Sequence, residues 1–86
     1  MSSYRLIIEL SAERELGKLR YDTAKRVDDR IQKLPNNPRP PGCLKLAGSE
    51  IWRIRVGKIR VLYVIDDGLR MVYITKIDER SDVYRK

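Results

Sequence analysis

Two runs of alternating apolar and basic residues in the middle of the chain predict a β-hairpin. Side chains alternate across a strand, so Arg53 and Arg55 share one face of the first run, and Arg60 stands on one face of the second. Gly57 and Lys58 form the turn, since glycine relieves the steric cost of a positive φ. The apolar positions of both runs then fall on the opposite face: Trp52, Ile54, Val56, Ile59, Val61, Tyr63 and Ile65.

The first half of the chain predicts a strand followed by two helices. Alternation indicates a strand over Tyr4–Leu10, and Ser11 is a good N-cap for a short first helix. Apolar residues at steps of three and four between Ala24 and Leu34 indicate a second, amphipathic helix. The proline-rich segment 35–42 ends that helix, because proline lacks the N–H that a helix needs.

Further strand signals flank the hairpin. A short edge strand is predicted at Cys43–Leu46, and Leu69–Ile77 is predicted as a last strand with Thr75 and Ile77 on one face and Lys76 on the other. We therefore predict an α+β fold for a single domain, residues 1–86. A two-helix hairpin packs on one face of a small, mostly antiparallel four-stranded sheet (β-α-α-β-β-β), and the other face is open and basic.

The amino-acid composition limits which partners and which kinds of functional site the chain can have. The formal net charge of +7 over 86 residues indicates an anionic partner. The single cysteine, Cys43, excludes an internal disulfide, and the absence of histidine argues against zinc sites and histidine acid–base catalysis, so we expect neither metal nor cofactor. We find no signal peptide and no run of transmembrane length, so we expect a cytoplasmic protein with no membrane contact.

Three arginines are the main functional candidates. Arg53, Arg55 and Arg60 converge on the open face, and no acidic residue lies between Arg53 and Ile65. Guanidinium groups placed so close repel one another, which is understandable if they meet an anion. The alternative is that Arg53 and Arg55 are ordinary solvent-facing residues that protect a sheet edge.

Four segments resemble a known family: Lys45–Gly48, Trp52–Gly57, Arg60–Tyr63 and Glu79–Tyr84. Together with the order of elements, they are similar to the RelE/ParE superfamily of bacterial toxins from type II toxin–antitoxin pairs. The RelE branch implies an endoribonuclease that enters the ribosomal A site and cuts messenger RNA without a metal. The resemblance also implies three partners. These are the ribosome, the mRNA and a cognate antitoxin, which would bind the toxin in a hetero-oligomer.

The resemblance also implies site residues. The basic pair of the family falls on Arg53 and Arg55, and the other site positions fall on Arg60, Arg80 and Tyr84. Lys58 joins the expected RNA-binding residues, which are Arg53, Arg55, Lys58 and Arg60. This chain departs from many relatives in having Glu79, where they have histidine before the tail arginine.

Arginine suits one part of RNA cleavage and not another. Its planar fork holds phosphate oxygens and stays charged, but its pKa above about 12 makes it a poor proton carrier. That leaves Tyr84 as the best candidate for proton transfer, although it could instead stack on a base or simply pack. Glu79 is a weaker candidate base, and Arg80 could instead pair with Asp78 or Asp82.

Two other functions remain open. A ParE-like toxin would block DNA gyrase through protein contacts and would need no RNA-cutting site. A non-catalytic module would bind RNA broadly through the arginine face, with strong salt dependence and no cleavage.

Overall fold

The computed structural model describes residues 3–79, which form two helices and a five-stranded sheet. In chain order the elements are β1 (Arg5–Ile8), α1 (Leu10–Gly17), α2 (Tyr21–Lys33), β2 (Leu44–Lys45), β3 (Ile51–Val56), β4 (Ile59–Asp66) and β5 (Met71–Glu79). The strands lie in the order β1-β5-β4-β3-β2. Among the strands of residues 3–79, the β1–β5 pair is the parallel one and the other three pairs are antiparallel.

The predicted α+β fold is confirmed, with five strands in the sheet of residues 3–79 in place of the four predicted. The short edge strand predicted at Cys43–Leu46 is present as the two-residue β2, which pairs with β3 through Leu44 and Arg53 and through Lys45 and Trp52. It lies at the sheet edge next to a proline-rich loop, and proline and glycine keep such an edge strand short.

One face of the sheet carries the core. The buried residues come from α1 and α2 and from the inward positions of β3, β4 and β5: Ala12, Val27, Ile31, Leu34, Ile54, Val56, Ile59, Val61, Tyr63, Val72, Ile74 and Ile77. On β3 and β4 these are the alternate positions that the sequence pattern selects. The opposite face therefore remains without a covering element within residues 3–79.

A β-bulge changes the predicted facing of β5. Tyr63 pairs with Ile74, whereas the preceding Leu62 pairs with Lys76, so Thr75 is the extra residue. Strict alternation predicted Ile77 on the face of Thr75, but the extra residue inverts the pattern, and Ile77 is buried beside the helices. The same inversion places Asp78 on the open face.

The first strand and first helix meet earlier than predicted. β1 ends at Ile8, and the extended Glu9 occupies the N-cap position without a side-chain cap, so Ser11 lies inside α1. The Glu9 N–H donates to the Ile74 carbonyl at 2.9 Å, which keeps that residue extended. From α1, the Glu15 carboxylate accepts the Ile77 N–H at 2.8 Å, at the edge of β5 that β1 leaves uncovered.

The proline-rich loop is bound to Asp67, which directly follows the C-terminal end of β4. Arg39 donates to Asp67 at 2.9 Å and lies 5.1 Å above the Trp52 ring, while the Tyr4 hydroxyl donates to Asp67 at 2.6 Å. The Arg39 guanidinium, with the Tyr4 hydroxyl, holds the pKa of the Asp67 carboxyl below its usual value. These contacts fix the end of the sheet remote from Gly57.

Beneath that loop, the buried Tyr63 hydroxyl donates to the Pro38 carbonyl at 2.7 Å. Burial raises the pKa of Tyr63 well above its usual value. The hydroxyl therefore stays protonated and serves as a structural donor for the loop.

Candidate functional site

The three arginines predicted to share the open face do so. Arg55 on β3 stands directly opposite Arg60 on β4, and Arg53 lies two positions further along β3, opposite Leu62. The Arg55 side chain is exposed, whereas Arg53 and Arg60 are half-buried. Like charges placed directly opposite one another destabilise a sheet, so this arrangement needs a compensating charge.

Asp78 supplies that charge. It stands opposite Arg60 on the other side, so Arg55, Arg60 and Asp78 form one row across three strands. Arg60 Nε lies 3.2 Å from Asp78 Oδ1, and Arg60 Nη2 lies 3.2 Å from Oδ2. The two side chains are only 16% and 19% exposed. Two-point contacts between a guanidinium and a carboxylate are strong and directional, so Asp78 holds the Arg60 guanidinium in one orientation.

The sequence pattern does not reveal the role of Asp78, for which it offers only Arg80 as a partner. The strand signal ended at Ile77, and strict alternation would have turned Asp78 toward the helices. Only the bulge at Thr75 turns its carboxylate toward Arg60. The nearest signal in the sequence was the surplus of unopposed positive charge on β3 and β4, which predicts a carboxylate without saying which one.

Arg53 differs from its neighbours in a polar atom that has no partner. Its Nε is buried and makes no hydrogen bond within the described part of the chain. Arg53 lies between Leu44 and Leu62 in the strand register, so its partners on both neighbouring strands are apolar. An unsatisfied buried donor costs free energy, of the order of 1–3 kcal/mol, which an anion drawn onto this face would partly recover.

The remaining predicted residues fall elsewhere. Lys58 is exposed in the β3–β4 turn, next to Gly57, whose φ of 62° is in the left-handed region that favours glycine. Glu79 pairs in register with the buried Ile59, so it belongs to the helix side of the sheet, away from Arg60. Arg80 and Tyr84 lie outside the described residues.

In chemical terms, the open face offers guanidinium donors and one carboxylate. Arginine forks match phosphate oxygens, and their charge does not depend on pH in the physiological range. Among residues 3–79, no group of three or more histidine, cysteine, aspartate or glutamate side chains is placed to hold a metal ion. No helix in this range is long and apolar enough to cross a membrane. The fold and this face define a small basic protein with an arginine-rich surface on one side of its sheet.

Comparison with known proteins identifies the family. Residues 6–84 match the family model described as the ParE toxin of the type II toxin–antitoxin system parDE. The chain therefore belongs to the ParE toxin family, within the RelE/ParE superfamily, and is a toxin of a toxin–antitoxin system.

Individual relatives agree with this assignment. A protein of Methanocaldococcus jannaschii described as toxin RelE1 is 34% identical over 76 residues, which is 84% of each chain. The toxin–antitoxin complex RelBE2 of Mycobacterium tuberculosis contains a chain that is 27% identical, with a TM-score of 0.80 over 91% of this chain and 99% of that one. The archaeal RelE–RelB complex of Pyrococcus horikoshii gives 25% identity and a TM-score of 0.82 over 92% and 97%.

Proposed function

We propose that this toxin is a ribosome-dependent endoribonuclease that cuts messenger RNA in the A site and so inhibits translation. The observation that carries the proposal is the gathering of Arg53, Arg55 and Arg60 on one uncovered sheet face. Similarity to chains described as RelE supports the nuclease branch of the superfamily over the others.

In the reaction the RNA 2′-hydroxyl gives up its proton as its oxygen bonds to the adjacent phosphorus, the bond from phosphorus to the 5′-oxygen breaks, and that oxygen takes up a proton. Negative charge grows on the phosphate oxygens between bond formation and bond cleavage. Arg55 and Arg60 supply fixed donors for that charge from opposite strands, and Arg53 extends the same surface. Charge organised in advance is usually the largest catalytic contribution, and each such donor is worth roughly 3 kcal/mol.

The Asp78 carboxylate affects how a phosphate can bind Arg60. Because its carboxylate already occupies two donors of Arg60, a phosphate that binds this guanidinium competes with Asp78 for it. The pair keeps Arg60 in a defined orientation, but it also removes one unit of positive charge from the face. The exposed Arg55 is therefore the arginine that first meets the RNA.

Proton transfer needs a group other than arginine. We assign it to Tyr84, and we keep Arg80 as a further cationic site residue; both lie outside the described residues. Arginine cannot take this role at physiological pH. Without a histidine, the free protein should cleave RNA slowly, and the ribosome would supply the missing alignment of 2′-oxygen and phosphorus.

The proposed partners follow from the same assignment. We expect a cognate antitoxin that binds the toxin in a hetero-oligomer, since the solved relatives include toxin–antitoxin complexes. Action on translating ribosomes would place the protein in the cytoplasm. An antitoxin that opposes a net charge of +7 should be acidic where it contacts the toxin.

The test is primer extension on a defined mRNA in a purified translation system, with and without ribosomes. The wild-type protein should cut the mRNA within codons only when ribosomes are present. Arg55→Ala should reduce the cleavage rate roughly 100-fold, whereas Lys25→Ala, which removes an exposed cation from α2, should leave it unchanged. Intact mRNA under continuing translation would contradict the proposal.

Inhibition of DNA gyrase is the second candidate, favoured by one specific finding. The family model that matches the chain is described by its ParE member. A supercoiling assay with purified gyrase separates the two functions, because a gyrase inhibitor would stop supercoiling and would leave mRNA intact. Arg55→Ala would not be expected to relieve such inhibition if it acts through protein contacts away from the arginine face.

A further inference from the structure

A second basic site lies on the other side of the β3–β4 turn. There a cleft of about 430 Å3 opens between the α1–α2 connection, the first turns of α2 and the turn itself. Its volume falls within the range of roughly 300–1,000 Å3 that is common for ligand sites. Four cationic side chains line it: Lys18, Arg20, Arg26 and Lys58.

The four cations have no partner among the charged residues that the structure describes. Every ion pair within residues 3–79 involves other side chains. Glu79 is the one acidic residue that lines the cleft, and it forms none of these pairs. The cleft therefore holds a surplus of about three positive charges, whereas on the sheet face Asp78 already offsets Arg60.

The cations surround the turn closely. A side-chain carbon built on Gly57 would lie 3.6 Å from Nη2 of Arg26, so this guanidinium reaches across from α2 to the hairpin. Arg20 is the N-cap residue of α2 and makes no side-chain cap, so the positive end of the helix dipole adds to the field. Repulsion between these groups is tolerated in the free protein and would be relieved by an anion.

We infer that this cleft binds phosphate groups of an RNA strand that continues from the arginine face around the β3–β4 turn. The inference rests on the proposed function for the identity of the ligand. Lys58 in the turn belongs to the cleft, and Arg55 and Arg60 stand on the open face at the two strand ends that this turn joins. Cationic side chains thus lie on both sides of the hairpin and in the turn between them, as they do along grooves that follow a nucleic-acid backbone.

The lining also indicates how the strand is held. Besides its charged groups, the cleft is lined by Thr23 and by small apolar surfaces from Leu19, Val56 and Ile59, and none of its lining residues is aromatic. Without an aromatic platform for the bases, the contact is to the backbone. Binding there should be independent of sequence and strongly dependent on salt.

The experiment measures binding by the full chain to a fluorescent oligouridylate of about 12 nucleotides, a length within the usual site sizes for single strands. The cleft variant is Lys18→Ala with Arg26→Ala. The matched control is Arg14→Ala with Lys25→Ala, two exposed cations on the same helices that do not line the cleft. Both variants lower the net charge equally, and thermal melting establishes that both are folded.

The expected effect is specific to the cleft. Two lost phosphate contacts should reduce the slope of log affinity against log salt by about 1.4, which corresponds to roughly 25-fold weaker binding at about 0.1 M salt. The control should change affinity less than about threefold. Equal weakening in both variants, or none in either, would overturn the inference, because binding would then follow net charge or the arginine face alone.

Three further outcomes distinguish this inference from a protein ligand and from the nuclease proposal. If an acidic peptide of the same length binds the cleft in preference to the oligonucleotide, the ligand is a protein and the RNA assignment is wrong. If ribosome-dependent cleavage is absent but the cleft variant still loses RNA binding, the nuclease proposal fails and the cleft stands. If cleavage is present and the cleft variant binds like the wild type, only the cleft inference fails.

Discussion

The pair between Arg60 and Asp78 gives the sharpest prediction, because it joins stability to function. In Asp78→Asn the carboxylate is replaced by a group of the same shape without charge. Two unit charges at about 4 Å attract by about 4 kcal/mol at an effective dielectric constant near 20, and part of that is offset by desolvation. Hydrogen bonds to charged groups contribute about 1.5–3 kcal/mol net, and asparagine retains one acceptor. We therefore expect the free energy of unfolding to fall by about 1–2 kcal/mol.

Arg55 should make this loss larger than that of an isolated pair. It stands opposite Arg60, so the asparagine leaves two guanidinium groups facing one another without a compensating charge. Urea denaturation measures the change directly. Asp29→Asn is the matched control, since that exposed helical aspartate should change stability by less than about 0.5 kcal/mol.

A double-mutant cycle tests the physical cause. The coupling between Asp78→Asn and Arg60→Gln should be at least about 1 kcal/mol if the ion pair carries the effect. Asp78→Asn should at the same time tighten binding of a single-stranded RNA by about fivefold at about 0.1 M salt, because one opposing charge leaves the face. Unchanged stability together with negligible coupling would refute this account of the face.

Three further predictions concern the scaffold. Tyr63→Phe should lower the free energy of unfolding by about 1–2 kcal/mol in urea denaturation, because the buried Pro38 carbonyl loses its donor; no change would mean that water replaces the hydroxyl. Glu15→Ala should lower the free energy of unfolding by about 1–3 kcal/mol. It should also speed hydrogen exchange at the Ile77 N–H, which loses its acceptor. The folded pKa of Asp67 lies below its unfolded value, so its stabilising contribution is present above the unfolded pKa and is lost as pH falls through the folded one. Between about pH 5 and about pH 3, the melting temperature should therefore fall more steeply in the wild type than in Asp67→Asn, and parallel curves would argue against it.

The hairpin that carries the arginines was predictable because its pattern is local. Alternation over β3 and β4 assigns Ile54, Val56, Val61 and others to the core and the arginines to the opposite face without reference to the rest of the chain. The turn at Gly57 needed only the conformational freedom of glycine. Helix α2 was also predictable from the sequence, because its apolar residues recur at the helical period.

Other features depended on contacts between distant residues. The boundary at Glu9 follows from a hydrogen bond to Ile74, which outweighs the preference of Ser11 for an N-cap. The facing of β5 follows from a bulge against Leu62 and Tyr63, and periodicity within β5 gives no sign of it. The local sequence around Glu9 does not point to Ile74, and the local sequence of β5 does not point to Leu62 and Tyr63.

The sequence by itself therefore determined the fold class, the basic surface and the shared face of Arg53, Arg55 and Arg60, because period-two and helical patterns depend on neighbouring residues alone. The tertiary structure decided that Asp78 joins that face and that Lys18, Arg26 and Lys58 meet in one cleft. The physical reason is that these groups are brought together by strand register and helix packing, which are set by the core as a whole.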